Sequence, residues 1–102
     1  MMAEKLDDAR REEALKALAT ASWAHDETRD AISKTFRFRD FVTAWSWMTA
    51  AAIHAEKLNH HPEWSNVYGK VDVTLTTHDA GGLTELDVKL AQRMDGLARG
   101  YA

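Results

Sequence analysis

A chain of 102 residues has room for one domain, spanning residues 1–102, with a core modest enough that self-association is expected to support it. Its composition, 45% hydrophobic and 28% charged with five glycines and one proline, is that of a globular protein and not of a disordered segment. The lack of cysteine excludes disulfides, thiolate metal ligands and thiol nucleophiles, and a formal charge of -3 argues against a sequence-independent grip on nucleic acid, which needs clustered Lys and Arg.

From about Asp8 to Ala21, the residues Ala14, Leu15, Leu18 and Ala19 recur at helical spacing among Arg10, Arg11, Glu12, Glu13 and Lys16, which predicts a first amphipathic helix. The stretch from Trp23 to about Asp30 lacks that period and reads as an edge strand. Ala31 to Phe38 alternates, with Ile32, Phe36 and Phe38 on one face and Ser33, Thr35 and Arg37 on the other, the mark of a half-buried strand. Asp40 suits the N-cap of a long, Ala-rich helix, free of Gly and Pro, that runs to about Leu58. Along it Phe41, Ala44, Trp45, Trp47, Met48, Ala51, Ala52, Ala55 and Leu58 fall within an arc of roughly 160° at about 100° per residue, with Val42 and Ile53 outside it. A helix apolar on more than one face asks for more than one packing partner, so this one is an expected subunit interface.

Val67 and Tyr68 read as a short strand, Gly69-Lys70 as a turn, and Val71 to Thr77 as the second arm of a hairpin, with Val71, Val73 and Leu75 facing the core. Gly81-Gly82 then breaks the chain. The segment Leu83-Thr84-Glu85-Leu86-Asp87-Val88 has the pattern of a capping box, with Thr84 at the N-cap, Asp87 at N3 and Leu83 stapled against Val88; the last helix runs to about Arg99 and buries Leu86, Leu90, Met94 and Leu97. The order α-β-β-α-β-β-α predicts an α+β fold: a four-stranded antiparallel sheet with three helices on one face. The segment Met1 to Arg11 is charged and precedes no apolar run fit for a signal peptide or a membrane span, so a cytoplasmic location is expected.

Five histidines are present, and three of them, His60, His61 and His78, fall where a turn or a strand end could gather them. His60-His61-Pro62 follows the central helix directly, and His78 ends the best-defined strand. Three chemistries suit such a set. The imidazoles could cap the helix C-terminus. They could hold a zinc ion with an open fourth position, although adjacent histidines diverge and rarely share one metal. They could also act as metal-free acid and base, because imidazole gives and takes protons near neutrality.

The string Glu56-Lys57-Leu58-Asn59-His60-His61-Pro62, followed at fixed spacing by Tyr68, His78 and Asp87, resembles the signature of the pterin-4a-carbinolamine dehydratases, known also as the dimerisation cofactor of a homeodomain transcription factor. The likeness extends to Arg29-Asp30-Ala31-Ile32, to Phe38 through Met48, to Trp64-Ser65-Asn66-Val67-Tyr68 and to Gly82-Leu83-Thr84-Glu85, and so covers nearly everything from Trp23 onward. It implies a lyase, 4a-hydroxytetrahydrobiopterin dehydratase, that removes water from a pterin-4a-carbinolamine to give a quinonoid dihydropterin in tetrahydrobiopterin recycling. No metal and no cofactor are implied, the pterin being the substrate.

Carried onto this chain, the resemblance makes His60 and His78 the principal acid/base pair and has His61 bind or polarise the pterin, leaving open which imidazole handles which proton. Glu56, one helical turn before His60, is expected to orient an imidazole or meet the pterin's donor edge; Trp64 is expected to wall the ring, Thr77 to offer a hydroxyl, and Asn59 to line the site. Asp87 has a sufficient reason in its capping box. Asn59 departs from the family, where the position is expected to be often Asp; without that acid a neighbouring imidazole is less basic and the pH optimum moves down. The expected partners are further copies of the chain, as a homodimer or homotetramer through the central helix and a sheet edge, together with an aromatic amino acid hydroxylase; neither nucleic acid nor membrane is expected. The alternative is a non-catalytic partner that stabilises a transcription factor or hydroxylase.

Overall fold

Each helix starts on a side chain that accepts a hydrogen bond from its own first turn. In the computed structural model, which describes residues 3–102, Asp7 takes the N–H of Arg10 to begin α1 (Asp8–Thr20), Asp40 takes that of Thr43 to begin α2 (Phe41–Leu58), and Thr84 with Asp87 forms a full capping box at the head of α3 (Glu85–Arg99). Between them lie β1 (Ala24–Asp26), β2 (Ala31–Arg37), β3 (Glu63–Val67) and β4 (Lys70–Leu75), and a single 3₁₀ turn, His78–Ala80, joins β4 to α3. The strands form one antiparallel sheet in the order β1-β2-β4-β3. Fold class and element order are those the residue pattern predicts.

The register explains how the sheet divides inside from outside. Ile32 pairs with Leu75, Phe36 with Val71 and Trp64 with Val73, so one face gathers the apolar residues against the helices. The opposite face carries Ser33, Thr35, Asp72 and Thr74, with the Thr35 hydroxyl donating to Asp72 Oδ1 at 2.6 Å. Trp47 of α2 is wholly enclosed at the centre of the core, its ring centroid 4.4 Å from that of Phe36 and 5.2 Å from that of Phe38, and its indole N–H donates to the Met94 carbonyl of α3. Lys34 also points inward, a position the alternation of Ile32 and Phe36 leaves to an apolar residue. Its ammonium bonds Asp95 Oδ1 at 2.6 Å and the Ala21 carbonyl at 2.7 Å and lies 4.7 Å from the Phe36 ring, while Asp95 Oδ2 accepts the Trp23 indole N–H.

Several boundaries move. The edge strand is only Ala24–Asp26, because Asp26 Oδ1 accepts the N–H groups of Thr28 and Arg29 and folds the chain into a turn that ends at Asp30. β3 begins at Glu63, and the hairpin turns at Tyr68-Gly69, one residue earlier than Gly69-Lys70. Two contacts fix that register. The Phe38 N–H donates to the Gly69 carbonyl at 2.7 Å, where a Cβ on Gly69 would meet Phe38 O at 2.3 Å, and the Asn66 amide donates to the carbonyls of Tyr68 and Lys70. β4 stops at Leu75; Thr77 makes an isolated bridge with Gly82, and His78 opens the 3₁₀ turn and does not end a strand. In α1 Ala19 is exposed, and in α3 Leu86 and Leu97 are only half-buried while Val88 and Ala91 join Leu90 and Met94 in the core. The apolar arc of α2 splits: Ala44, Trp47, Met48, Ala51 and Ala55 are buried, whereas Phe41 and Trp45 join Val42 and Ile53 in facing outward.

Asp30 ties together the three segments around one end of the sheet. Its carboxylate accepts from Arg11 of α1 at 2.6 Å, from His25 of β1 at 2.7 Å and from the Leu83 N–H at 3.0 Å, and its carbonyl takes the Thr76 hydroxyl. Partial burial on its own would raise this carboxyl, but the hydrogen bonds from Arg11, His25 and Leu83 outweigh it and hold the pKa down to about 2. A depressed carboxylate contributes stability above its unfolded pKa and loses it as pH falls through the folded value. Asp30→Ala is therefore expected to cost roughly 1–3 kcal/mol at neutral pH, since it strands three donors, and to remove much of the acid sensitivity between pH about 4 and about 2. Urea titrations of both proteins across that range check this; parallel stability curves at every pH would refute it.

Candidate active site

The residue that ends α2 decides where the histidines go. Asn59 takes the left-handed conformation, φ 51° and ψ 45°, which Asn tolerates better than most side chains, and the His60 N–H folds back onto the Ala55 carbonyl. That reversal points His60 into the protein and His61 out of it. His60 is 8% exposed, while the His61 side chain is 61% exposed.

His60 lands on Asp87. Its Nε2 lies 2.5 Å from Asp87 Oδ1, and Asp87, with no exposed surface, uses Oδ2 to accept the Thr84 N–H at 2.9 Å and the Thr77 hydroxyl at 2.7 Å. The Thr77 hydroxyl, spent on Asp87, in turn accepts that of Thr84 at 2.8 Å. With both carboxylate oxygens acting as acceptors, Nε2 of His60 is the donor and Nδ1 is the ring nitrogen left for other work. One buried carboxylate thus joins the loop after α2, the segment after β4 and the first turn of α3. The capping box correctly located Asp87 but accounts for only one of its two oxygens.

Glu56 orients an imidazole, but that of His61 and not of His60: Glu56 Oε1 lies 2.9 Å from His61 Nε2. The turn at Asn59 rotates His60 away from the helix face that carries Glu56 and leaves His61 there. Asn59, His60, His61, Thr77 and His78 line one cavity of about 210 Å³, together with Thr76 and Asp79, which sequence reasoning passed over. The isolated Thr77 bridge and the 3₁₀ turn bring His78 across to the pair from α2. Trp64 is not among the lining residues. It leans on Trp47 at 6.3 Å between ring centroids and, with Glu56, lines a larger groove of about 420 Å³ against Trp45, Met48, Ala52 and Ile53. Among the described residues no three His, Asp or Glu side chains converge into a set that would hold a metal ion. The cavity offers instead one sheltered imidazole of fixed orientation and two exposed ones, an arrangement suited to moving protons on a flat polar molecule.

Residues 4–97 match the profile of the family described as pterin 4 alpha carbinolamine dehydratase. A protein of Jannaschia sp. named as a candidate pterin-4-alpha-carbinolamine dehydratase is 62% identical over 98 residues, covering 96% of this chain and 100% of its own length. A protein of the same name in Dinoroseobacter shibae is 62% identical over 97 residues, 95% of this chain and 100% of its own. Among solved structures, a transcriptional coactivator/pterin dehydratase of Brucella melitensis superposes with a TM-score of 0.86 at 48% identity, covering 93% of this chain and 99% of that one. A pterin dehydratase-like protein identified as a RuBisCO assembly factor in the alpha-carboxysome superposes with a TM-score of 0.66 at 25% identity, over 74% of this chain and 88% of that one.

The two carboxylates that hold imidazoles of this cavity, Asp87 and Glu56, differ in burial, and their removal is expected to differ accordingly. Asp87→Asn keeps the shape but cannot accept from all three donors, so it should cost about 1–3 kcal/mol and shift His60 to the tautomer protonated at Nδ1. Glu56→Gln, at an exposed pair, should change stability by less than about 1 kcal/mol. Denaturant melts with imidazole ¹⁵N spectra measure both, and an Asp87→Asn protein of unchanged stability and His60 tautomer would contradict the assignment.

Proposed function

We propose that the chain, which belongs to the pterin 4 alpha carbinolamine dehydratase family, is an active 4a-hydroxytetrahydrobiopterin dehydratase working by histidine acid/base catalysis. The observation that carries this reading is the single cavity walled by His60, His61 and His78, with His60 anchored on buried Asp87. The reaction breaks the C4a–O bond of the carbinolamine and forms a C4a=N5 double bond. One group must give a proton to the departing hydroxyl so that it leaves as water, and another must take the proton from N5. An imidazole in each role contributes on the order of 10²–10⁴-fold.

His60 and His78 are the acid/base pair in this proposal. Asp87 holds the His60 ring still through Nε2, which leaves Nδ1 to exchange a proton without a reorientation at the moment of reaction. His78, at the exposed start of the 3₁₀ turn, is free to exchange its proton with water between turnovers. His61 binds or polarises the ring with Glu56 behind it, Asn59 and Thr77 supply polar contact along the wall, and Trp64 acts at one remove by bracing the start of β3 on Trp47. On this reading the enzyme needs neither metal nor cofactor and serves in the cytoplasm beside an aromatic amino acid hydroxylase that releases its substrate. It works as a homodimer or homotetramer joined through α2 and a sheet edge.

A second reading, a non-catalytic partner of another protein, draws on the outward face of α2, where Val42 is 70% and Trp45 56% exposed. That face serves either role, whereas the anchored imidazole serves only the first. The deciding experiment follows the dehydration of freshly generated carbinolamine. Turnover is expected, insensitive to chelator, and lower by at least about 10²-fold in His60→Ala and in His78→Ala with the fold retained. No turnover by the wild-type protein would favour the partner role, chelator-sensitive turnover would favour a metal, and wild-type rates in both variants would remove the histidine mechanism.

A further inference from the structure

Two of the three imidazoles in the cavity have an acid of their own: His60 lies on Asp87 and His61 on Glu56. Among the described residues no carboxylate pairs with the ring of His78, which is exposed at the start of the 3₁₀ turn. The place of that ring is therefore inherited from the backbone that carries it, the segment 76–83, and depends on what fixes the segment at its ends.

Internally the segment closes on itself. The Thr77 N–H donates to the Gly82 carbonyl at 3.2 Å, the Gly82 N–H to the Thr77 carbonyl at 3.3 Å, and the Gly81 N–H to the His78 carbonyl at 3.0 Å. These bonds shape the loop without setting where it stands on the protein. The Thr77 hydroxyl ties it to Asp87, and its two stems are both tied to Asp30. Before His78, the Thr76 hydroxyl donates to the Asp30 carbonyl at 3.0 Å; after it, the Leu83 N–H donates to Asp30 Oδ2, also at 3.0 Å. The Asp30 backbone is left-handed, with φ 50°, a conformation Asp and Asn adopt more readily than most residues, and from it carbonyl and carboxylate both reach the loop. The carboxylate is itself held by Arg11 and His25, and Arg11 donates in addition to the carbonyl of buried Leu6, whose N–H meets the Leu83 carbonyl at 2.9 Å. Room for this arrangement comes from Gly82, where a Cβ would meet Asp30 Oδ2 at 2.3 Å.

We propose that Asp30, braced by Arg11 and His25, is a positioning residue for the dehydration: by holding both stems of the segment 76–83 it sets where His78 stands relative to His60. The proposal rests on the dehydratase reading. Asp30 does not line the histidine cavity, so its effect on the reaction passes through His78 and not through contact with the pterin. Displacing a catalytic group by about 1 Å costs on the order of 10²-fold, which gives a residue remote from the substrate a large lever on the rate.

Two substitutions loosen this hold in different ways. Asp30→Asn keeps a side chain suited to the left-handed backbone and removes the charge that Arg11 and His25 grip; Gly82→Ala leaves every charge in place and pushes the carboxylate away from the Leu83 N–H. Each is made alone and together with His78→Ala, and dehydration is followed where urea melts show the proteins folded; should one variant fail to fold, the other decides. Each alone is expected to lower kcat by about 10- to 100-fold with KM little changed, and to add no further loss once His78 is Ala, because a positioning residue has no effect without the group it positions. Imidazole ¹⁵N spectra should show the His78 signals altered and those of His60 unchanged. Wild-type kcat in the folded variants, an equal loss in the His78→Ala background, or a change at His60 matching that at His78 would each overturn the positioning role. No dehydration by the wild-type protein would instead overturn the dehydratase reading, and the positioning role with it.

Discussion

The structure turns on a carboxylate with no access to water. Asp87 cannot sit where it does without partners, because an unpaired charge in the interior costs more than a domain of this size can tolerate. Its partners come from three places remote in sequence: the first turn of α3, Thr77 beyond β4, and His60 beyond α2. Satisfying Asp87 therefore closes the fold and sets the site in one act. The same hydrogen bonds that start α3 hold an imidazole in a fixed pose, so catalytic geometry and helix capping draw on a single group. Removing one of the donors would leave the others in place and strip the carboxylate of part of its compensation.

What was legible in the amino-acid order was whatever depends on local period and local capping. Asp40 and Thr84 announce their helices, Val71, Val73 and Leu75 announce a strand, and the spacing of His60, His61 and His78 from the ends of those elements marks where they gather. Less legible were features decided by partners distant in sequence. Lys34 occupies an inward position because Asp95, some sixty residues on, and the Ala21 carbonyl wait there for its ammonium; nothing near Lys34 signals this. The hairpin turn settled one residue early because the backbone of Phe38 needs the Gly69 carbonyl at close range.

The candidate site shows the same division. The histidines were found from spacing, but their partners depend on one left-handed residue. A simple helical count pairs Glu56 with the position four residues on, His60; the reversal at Asn59 cancels that count and hands Glu56 to His61. Trp64, expected to wall the ring, lies with strand alternation on the core side, against Trp47. Thr76 and Asp79 flank residues that drew attention and carried no pattern of their own. Asp30 shows the reverse case: noticed only as part of a family string, it proves to be the meeting point of α1, β1 and the Gly82-Leu83 segment.

The bend at Asn59 also bears on how such a site can diverge. A left-handed backbone admits few side chains with ease, chiefly Gly, Asn and Asp. Of these, Asn and Asp are nearly isosteric and differ by one formal charge. Selection acting at this codon can thus alter the electrical environment of the neighbouring rings while the path of the polypeptide stays put, a form of tuning that positions with ordinary dihedrals seldom allow so cheaply.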